Sequence, residues 1–251
     1  MKTLLRTLAL AGLMAQAEAD VTTDLINLYE FNGDFTDTLG NGLALVPNNV
    51  TTAFFGSGLW TWSGASAPGT GLILNAPASI AGTYSIAIRF EFSEVTGFRK
   101  VVDYQNQASD SGFYLSGGIP YLYPGAIGTT AVPANTFVDL VLTRDGADSS
   151  FKTYVNGNQT PEISYTDSVG PYAVATLVSG NAQFRFFQND IFNSTEFSSG
   201  GTVSEIRVWD APLAPSDIPN AFTVTPEPSA PVMFGLGLLG LAACRLRKRL
   251  A

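Results

Sequence analysis

Residues 83–92 read Thr-Tyr-Ser-Ile-Ala-Ile-Arg-Phe-Glu-Phe and carry the clearest structural signal in the chain. Every second residue from Tyr84 to Phe92 is apolar, whereas the residues between them are small, polar or charged. A repeat of two residues places alternate side chains on opposite faces of an extended strand. We therefore predict that this stretch is a β-strand with one face buried in a core.

The same alternation recurs along most of residues 20–223. Thr136–Arg144 repeats it, and Asn156-Gly157 is a strong hairpin-turn signal because both residue types tolerate positive φ. Further candidate strands are Asp24–Phe31, Lys100–Tyr104, Phe113–Leu115, Phe151–Val155, Gln159–Ser164, Gln183–Phe187 and Val203–Trp209. Many short strands without a long helical pattern predict an all-β fold, an antiparallel two-sheet jelly-roll sandwich.

Charge and composition exclude several classes of function. The 251-residue chain has a net charge of −8, yet two of its cations lie in the first six residues and four in the last seven. Residues 20–244 keep seven cations against twenty acids. No nucleic-acid partner is expected, because phosphate binding needs clustered Lys and Arg. The chain has no histidine, and Cys244 is its only cysteine, which excludes His-dependent catalytic triads and the common zinc sites.

The first nineteen residues have the pattern of a secretory leader. Lys2 and Arg6 precede the apolar run Leu8–Met14, and the small-residue site Ala17–Ala19 follows, with Ala15–Ala17 as the alternative. The apolar run is too short to span a membrane. We predict an N-terminal signal helix and a signal peptide over residues 1–19.

The last twenty-eight residues, 224–251, have three parts in a fixed order. A proline-rich approach precedes an apolar segment at about residues 230–246, and a basic end follows. The approach is Pro226, Glu227 and Pro228; the basic end is Arg245, Arg247, Lys248 and Arg249. The segment predicts a C-terminal hydrophobic helix of marginal spanning length, with its cations held on the cytoplasmic side. An ordinary membrane anchor is the alternative.

This tail resembles the PEP-CTERM sorting signal of Gram-negative bacteria that produce exopolysaccharide. The resemblance implies an exosortase-type processing enzyme as partner and at least transient residence in the inner membrane. It further implies delivery to the cell surface or the extracellular matrix. The preceding residues are therefore expected to be exported.

Three segments of the body resemble the laminin-G-like, concanavalin A-like group. They are Leu28–Gly42, Phe137–Gly157 and Gly201–Leu213, and they occur in the usual order of that group. The resemblance implies two packed sheets, with the N-terminal strand beside the C-terminal one. We assign residues 20–223 to one laminin-G-like domain; residues 48–82 match nothing in the pattern.

A calcium ion is the cofactor that this resemblance suggests, in a structural role. The loop at residues 32–42 combines glycines with Asn32, Asp34 and Asp37, and Glu205 on the last strand could complete the site. Calcium prefers six to eight oxygen ligands, which such a loop can supply. The alternative is that these side chains only form turns by hydrogen bonding to the backbone.

Four aromatic residues are candidate ligand contacts for an extracellular polysaccharide. Trp60 and Trp62, two residues apart, share one face of a strand, and Tyr121 and Tyr123 lie in a Gly/Pro-rich region expected to loop outward. Flat rings with polar tips suit the faces of sugars. For the tryptophan pair, a place in the core is the favoured alternative.

No catalytic residues are predicted. The nearest match to a glycosidase carboxylate pair is Glu91 and Glu94, which lie three residues apart and would point to opposite faces of an extended strand. The predicted function is therefore that of an exported cell-surface or extracellular-matrix protein that binds carbohydrate or the matrix. The alternatives are a structural matrix protein without a ligand and, less favoured, a glycoside hydrolase.

Overall fold

The computed structural model describes residues 21, 24–41, 43–48, 53–66, 70–168, 170–191 and 197–223. The predicted signal helix at 1–19, the sorting residues Pro226–Pro228, the segment at 230–246 and its basic end all lie outside the described residues. Within the described ranges, none of the helices is long and apolar enough to cross a membrane.

The described residues form eighteen strands and two short 3₁₀ helices. In chain order the strands are β1 Leu25–Tyr29, β2 Val46–Asn48, β3 Ala53–Gly56, β4 Leu59–Trp62, β5 Ala65–Ser66, β6 Gly71–Pro77, β7 Tyr84–Phe92, β8 Phe98–Asp103, β9 Gly112–Ser116, β10 Ile119–Tyr123, β11 Ala126–Ile127, β12 Val138–Asp145, β13 Ser150–Val155, β14 Ile163–Thr166, β15 Leu177–Val178, β16 Asn181–Phe186, β17 Phe197–Ser198 and β18 Gly201–Trp209. The 3₁₀ helices are Ala78–Ile80 and Ile218–Asn220.

Two large antiparallel sheets form the sandwich. The first has the order β14-β13-β12-β7-β18-β4-β3, and the second has the order β11-β10-β9-β8-β16-β6-β2. Strand β1 pairs with β18 in the first sheet, β15 pairs with β16 in the second, and β5 and β17 form a small separate pair. Leu25 lies opposite Trp209 and Tyr29 opposite Ile206. The predicted two-sheet architecture and the expected neighbourhood of the first and last strands are both confirmed.

The main core lies between the sheets and is built by the predicted alternation. On β7, Ile86, Ile88 and Phe90 are fully buried in one cluster with Leu74 and Phe184 of the second sheet. Because side chains alternate across each strand, the residues between these positions point to the outer faces of the sandwich. The side chains on the outer faces are therefore the ones that a ligand could contact.

The outer face of the first sheet is itself covered, which the sequence pattern did not predict. Ala87 belongs to a second apolar cluster with Trp209, Leu213 and Ile218. The Ser85 hydroxyl donates to the Ala211 carbonyl at 2.9 Å and accepts from the Leu213 N–H at 2.7 Å. The prediction that only one face of β7 is buried is wrong around Ser85 and Ala87, because the segment after β18 folds back over the outer face there.

Two local predictions also needed correction. Asn156 and Gly157 do take positive φ, of 52° and 72°, but the return strand is Ile163–Thr166 rather than Gln159–Ser164. Pro161 has no N–H to give to a sheet, which favours a longer loop. Within residues 48–82, which matched no pattern, the structure places strands β3 to β6.

Candidate functional site

The outer face of the second sheet carries a patch of four aromatic side chains, Phe98, Tyr114, Tyr121 and Tyr123. The ring centroids of Phe98 and Tyr121 are 6.2 Å apart, those of Tyr121 and Tyr123 are 5.4 Å apart, and those of Tyr114 and Tyr123 are 6.1 Å apart. Tyr114 is buried, whereas the other three are partly exposed. We call these four residues the aromatic patch.

The two tyrosines predicted to lie on an outward loop belong instead to strand β10. Tyr121 pairs with Tyr114, and Leu122 between the two tyrosines points into the core. Both predicted residues therefore share one outer face by strand alternation rather than by a loop. Their rings contact each other edge to face, an arrangement that aromatic pairs favour.

A charged cluster lies beside the aromatic patch and consists of the buried Lys100, Asp103 and Asp190 and the partly exposed Asp110. The Lys100 ammonium lies 3.1 Å from Asp103 and 3.0 Å from Asp190, and it sits 4.9 Å from the Tyr114 ring centroid. Gly112 makes room for the lysine, since a Cβ there would lie 3.3 Å from the Lys100 Cε. The ammonium thus joins the aromatic patch to the two carboxylates.

Asp110 lies at the boundary between the charged cluster and the patch. The Tyr114 hydroxyl donates to the Asp110 carbonyl at 2.6 Å, and it lies 3.2 Å from the Asp110 carboxylate and 3.3 Å from that of Asp190. Burial and the neighbouring Asp190 carboxylate raise the pKa of the Asp110 carboxyl. Both carboxylates therefore contact the same tyrosine hydroxyl.

Arg185 lies farther along the same face, on strand β16. Its neighbours Phe184 and Phe186 point into the core, so its own side chain points outward. The guanidinium donates to side-chain oxygens of Asn106, Gln183 and Gln188 at 2.6–3.0 Å. All three acceptors are neutral amides, which we call the amide cradle.

Two family models match this chain. A family model described as the concanavalin A-like lectin/glucanases superfamily, of the laminin G type, matches residues 69–219. The chain belongs to this superfamily. A second family model, the PEP-CTERM protein-sorting motif, matches residues 224–248. Both resemblances inferred from the sequence are confirmed, and no curated protein sequence matches the chain.

Solved structures with a similar fold include two that were determined with a bound sugar or sugar derivative. Domain 4 of AbnA, a GH43 arabinanase of Geobacillus stearothermophilus solved with arabinotriose, is 18% identical, with 80% of this chain and 98% of that chain covered and a TM-score of 0.57. Trypanosoma rangeli sialidase with 2,3-difluorosialic acid is 15% identical over 80% of this chain and 33% of that one, with a TM-score of 0.57. The botulinum neurotoxin serotype D binding domain is 13% identical over 80% and 51%, with a TM-score of 0.52. These likenesses concern the fold alone.

In this superfamily member the two tryptophans proposed as ligand contacts lie in the core. Trp60 and Trp62 are only 1% and 2% exposed, and their rings stack with centroids 4.8 Å apart. Trp62 also stacks on Phe187 at 4.4 Å, and its Nε1–H donates to the Ser199 carbonyl at 2.9 Å. The prediction that they bind a ligand is wrong, and the favoured alternative of a core position is correct. Alternation along a strand shows that Trp60 and Trp62 share one face but not whether that face points to the core or to solvent. In the structure it points to the core.

Asp37, one of the predicted calcium ligands, closes its own loop by hydrogen bonding. Its carboxylate accepts the backbone N–H groups of Leu28, Leu39 and Asn41 at 2.8, 3.2 and 3.0 Å, and the side-chain N–H of Asn27 at 3.1 Å. The side chain is only 8% exposed. The arrangement matches the alternative reading, in which the carboxylate shapes the turn.

The other three predicted calcium ligands occupy different surroundings. Asn32 and Asp34 are exposed, and hydrogen bonds from the Thr36 hydroxyl and N–H lower the pKa of the Asp34 carboxyl. Glu205 forms an ion pair with Arg207, while burial raises its pKa. Among the described residues no three His, Cys, Asp or Glu side chains gather in a group that could hold a metal ion. A calcium site stays a prediction.

A cleft lies next to this loop. It has a volume of about 230 Å³ and is lined by Asn27, Leu43, Ile80 and Asp210 among others. The Asn27 side-chain oxygen has no hydrogen-bond partner in the described part of the chain. The cleft offers one buried acceptor against a mostly apolar wall. The outer face of the second sheet presents more hydrogen-bonding groups and more ring surface, so we place the candidate site there.

Sequence reasoning missed the charged part of this face. Lys100, Asp190 and Arg185 were not singled out, because each is a single charge within or beside a short strand. Lys100 and Asp190 are separated by ninety residues, and only the pairing of β8 with β16 brings them together. The one signal available in the sequence was that Lys100 and Arg185 are charged residues within predicted strands.

Proposed function

We propose that this is an exported protein that binds a polysaccharide with the outer face of the second sheet. The observation that carries the proposal is the partly exposed aromatic patch beside a hydrogen-bonded charged cluster. Sugar rings have apolar C–H faces and hydroxyl edges, so they need flat rings for stacking and polar groups for hydrogen bonding. The face supplies both within neighbouring strands.

The rigidity of the patch supports a binding role. Tyr114 is held by Asp110 and by the Lys100 ammonium, and it in turn packs against Phe98 and Tyr123. A surface that is already ordered loses little conformational freedom when a ligand binds. Two structures with this fold were solved with arabinotriose and with a sialic acid derivative, which makes oligosaccharides the first probes to test.

Binding is favoured over hydrolysis by the surroundings of the carboxyl groups. Asp190 is fully buried and paired with Lys100 at 3.0 Å, whereas both carboxyl groups of a glycosidase pair must reach the sugar bond. Glu94, the other sequence candidate, pairs with Arg99 at 3.2 Å. Reducing-end release from a polysaccharide incubated with the protein would contradict this choice.

The binding test uses the mature protein in affinity electrophoresis through gels that contain one polysaccharide each. Tyr121→Ala combined with Tyr123→Ala removes two of the three partly exposed rings of the patch and should abolish retardation. Phe54→Ala is the matched control, because this aromatic residue is 65% exposed on β3 of the other sheet. Equal retardation of the wild type and the double variant would contradict the proposed face.

A structural matrix role without a ligand is the second candidate. Only the sorting motif favours it, since a sorted protein need not bind sugar. Co-sedimentation with purified matrix, together with no retardation by any polysaccharide, would support it and exclude the binding proposal.

For the route to the surface, we infer that an exosortase-type enzyme processes the tail at the inner membrane. The inference rests on the match of residues 224–248 to the sorting motif and on the cations behind the apolar segment. Pro226–Pro228 would be the recognised approach, and Arg245–Arg249 would remain cytoplasmic. Mass spectrometry of the C-terminus in cells with and without the sorting enzyme tests this, and an identical uncut tail in both would contradict it.

A further inference from the structure

Arg185 differs from the other arginines of the folded domain. Five arginines lie in the described residues, and four of them form ion pairs with carboxylates. These pairs are Arg89–Asp139, Arg99–Glu94, Arg144–Asp167 and Arg207–Glu205. Arg185 forms no ion pair with any described residue, although acids outnumber cations almost threefold in residues 20–244. In such an acidic protein, a guanidinium without a carboxylate partner needs an explanation.

The amide cradle orients this guanidinium without neutralising it. Asn106 accepts from Nε at 3.0 Å and from Nη2 at 2.6 Å, while Gln183 accepts from Nε at 3.0 Å and Gln188 from Nη1 at 2.9 Å. Burial lowers the pKa of the Arg185 guanidinium, and Asp103 acts in the opposite direction. The positive charge is therefore held in place by neutral groups and is partly exposed.

Asp103 is the acid nearest in the sheet, directly opposite Arg185 on β8, and it is occupied elsewhere. One of its carboxylate oxygens contacts Lys100 at 3.1 Å, and the other accepts the N–H groups of Gln105 and Gln107 at 3.1 and 2.9 Å. The side chain is fully buried. It cannot turn to Arg185 without breaking these bonds.

Donors remain free around Arg185. The described bonds use the Nε–H and one N–H on each terminal nitrogen, which leaves one N–H on each terminal nitrogen for a ligand. Gln188, whose oxygen holds Nη1, is fully buried, and its Nε2 has no partner among the described residues. Two guanidinium donors and a buried amide donor at one place match a ligand that carries acceptor oxygens and negative charge.

We propose that Arg185 binds the carboxylate of an acidic polysaccharide, of the uronic acid type. This deepens the polysaccharide-binding function proposed above and depends on it. Tyr123 and Arg185 lie on the same face, on β10 and β16, with β9 and β8 between them. Three steps between neighbouring strands place them roughly 14 Å apart. A ligand that contacts both must be an extended polymer rather than a single sugar.

The overall acidity of the protein sets the conditions of the test. Its net negative charge repels a polyanion at long range, but at 0.15 M salt the Debye length is about 8 Å, so distant acids are screened. Direct contacts with Arg185 are screened much less, because they are partly buried. Binding is therefore measured at 0.15 M NaCl.

The first experiment needs no variant. The full-length protein is tested against polygalacturonate, alginate and hyaluronate at neutral pH. Each polymer is used in its free-acid form, which is ionised at this pH, and as its methyl ester, which removes the charge but keeps the backbone. We expect at least one free-acid polymer to bind ~10- to 100-fold more tightly than its ester, the range for hydrogen bonds to a charged group. Equal affinity for acid and ester in every pair would overturn the proposal for Arg185.

Variants then locate the effect. Arg185→Gln should lower the affinity for the free acid to that for the ester, whereas Arg89→Gln on the other sheet should leave it unchanged. Melting temperatures show whether Arg185→Gln is folded; if it is not, the acid–ester contrast of the wild type still decides. Tyr121→Ala with Tyr123→Ala should weaken binding of both forms. If acid and ester bind equally well and only the tyrosine variant loses binding, the proposed polysaccharide-binding function stands and the acidic ligand of Arg185 is rejected. If no polymer binds, both the proposed function and the acidic ligand are rejected.

Discussion

The Lys100 ammonium lies 3.0 Å from the Asp190 carboxylate, and both side chains are completely buried although ninety residues separate them in the sequence. A second carboxylate, that of Asp103, lies 3.1 Å from the same ammonium. A buried charge is tolerated only when it is paired and hydrogen-bonded. The contact therefore fixes the chain after β16 against β8 and supports Tyr114, which carries the aromatic patch.

Replacing Lys100 by Met should destabilise the domain strongly. The substitution keeps the length of the side chain but leaves two buried carboxylates without their cation, and breaking one partner of a buried pair costs about 3–5 kcal/mol. Urea unfolding followed by circular dichroism measures the loss. Lys152→Met on β13, where the lysine is partly exposed, should change stability by less than about 1 kcal/mol. Equal, small effects of the two substitutions would show that the buried pair contributes nothing.

The tryptophans provide a test of the corrected site. All three tryptophans of the chain, Trp60, Trp62 and Trp209, are at most 2% exposed. Their fluorescence should be blue-shifted in the folded state and insensitive to iodide, and a saturating oligosaccharide should leave it nearly unchanged. Trp62→Ala should lower the free energy of unfolding by about 3–5 kcal/mol, because it opens a cavity against Phe187. Iodide quenching of the native protein would contradict the core assignment.

The difference between Asp37 and Asp34 is a third test. Asp37→Ala leaves the N–H groups of Leu28, Leu39 and Asn41 without their acceptor, and it should cost about 2–4 kcal/mol. Asp34→Ala, at an exposed position, should have a much smaller effect on stability than Asp37→Ala. Thermal unfolding with and without Ca²⁺ separates the two readings of this loop. A calcium-dependent rise in melting temperature that Asp34→Ala removes would support the predicted metal site.

These two aspartates also show where prediction from sequence ends. They lie three residues apart with the same chemistry, and only one is buried. The difference arises because the partners of Asp37 include Asn27 and Leu28 on β1, ten and nine residues away. Turn chemistry is local and could be read from the sequence, whereas the burial of a particular carboxylate depends on how the loop packs.

The fold was largely predictable for the same reason. Alternation along β7, β12 and β18 is a local property of each strand, and it was sufficient to predict an antiparallel sandwich. Which face of β4 points inward, and which charges meet across β8 and β16, depends on sheet pairing. The sequence therefore pointed to the two tyrosines of the candidate site, although on an expected loop rather than on β10, and it could not find Lys100, Asp190 or Arg185.

The pH dependence of stability should carry the signature of Asp110. Its pKa is raised in the folded protein by burial and by Asp190, so its ionisation favours the unfolded state. Its contribution to stability is therefore lost as pH rises from about 4, near the unfolded value, through the higher folded pKa. Asp110→Asn removes this loss, and the stability of the variant relative to wild type should increase from pH 3 to pH 7.

Asp34 provides a control of opposite sign. The Thr36 hydroxyl and N–H lower the pKa of its carboxyl, so its ionised form favours the folded state above the unfolded pKa. Asp34→Asn should lose stability relative to wild type over the same rise in pH. Urea unfolding at unit intervals of pH measures both trends. Parallel curves for the two variants would contradict these assignments.

The boundary between the folded domain and the sorting motif leads to a final prediction. The second apolar cluster ends with Ile218 and Ala221, with Phe222 packed against it, and the family match to the sorting motif begins at residue 224. Removing residues 224–251 should therefore change the melting temperature by no more than a degree or two. Removing residues 211–251 instead uncovers Trp209 and Val141 and takes away both partners of the Ser85 hydroxyl. That loss should exceed about 4 kcal/mol, a large part of the stability of an ordinary domain. If both truncated proteins have the same melting temperature, the segment after β18 is dispensable and the domain ends before that segment rather than at the sorting signal. If only the longer truncation loses stability, the tail can be removed without disturbing the face that we propose binds the polysaccharide.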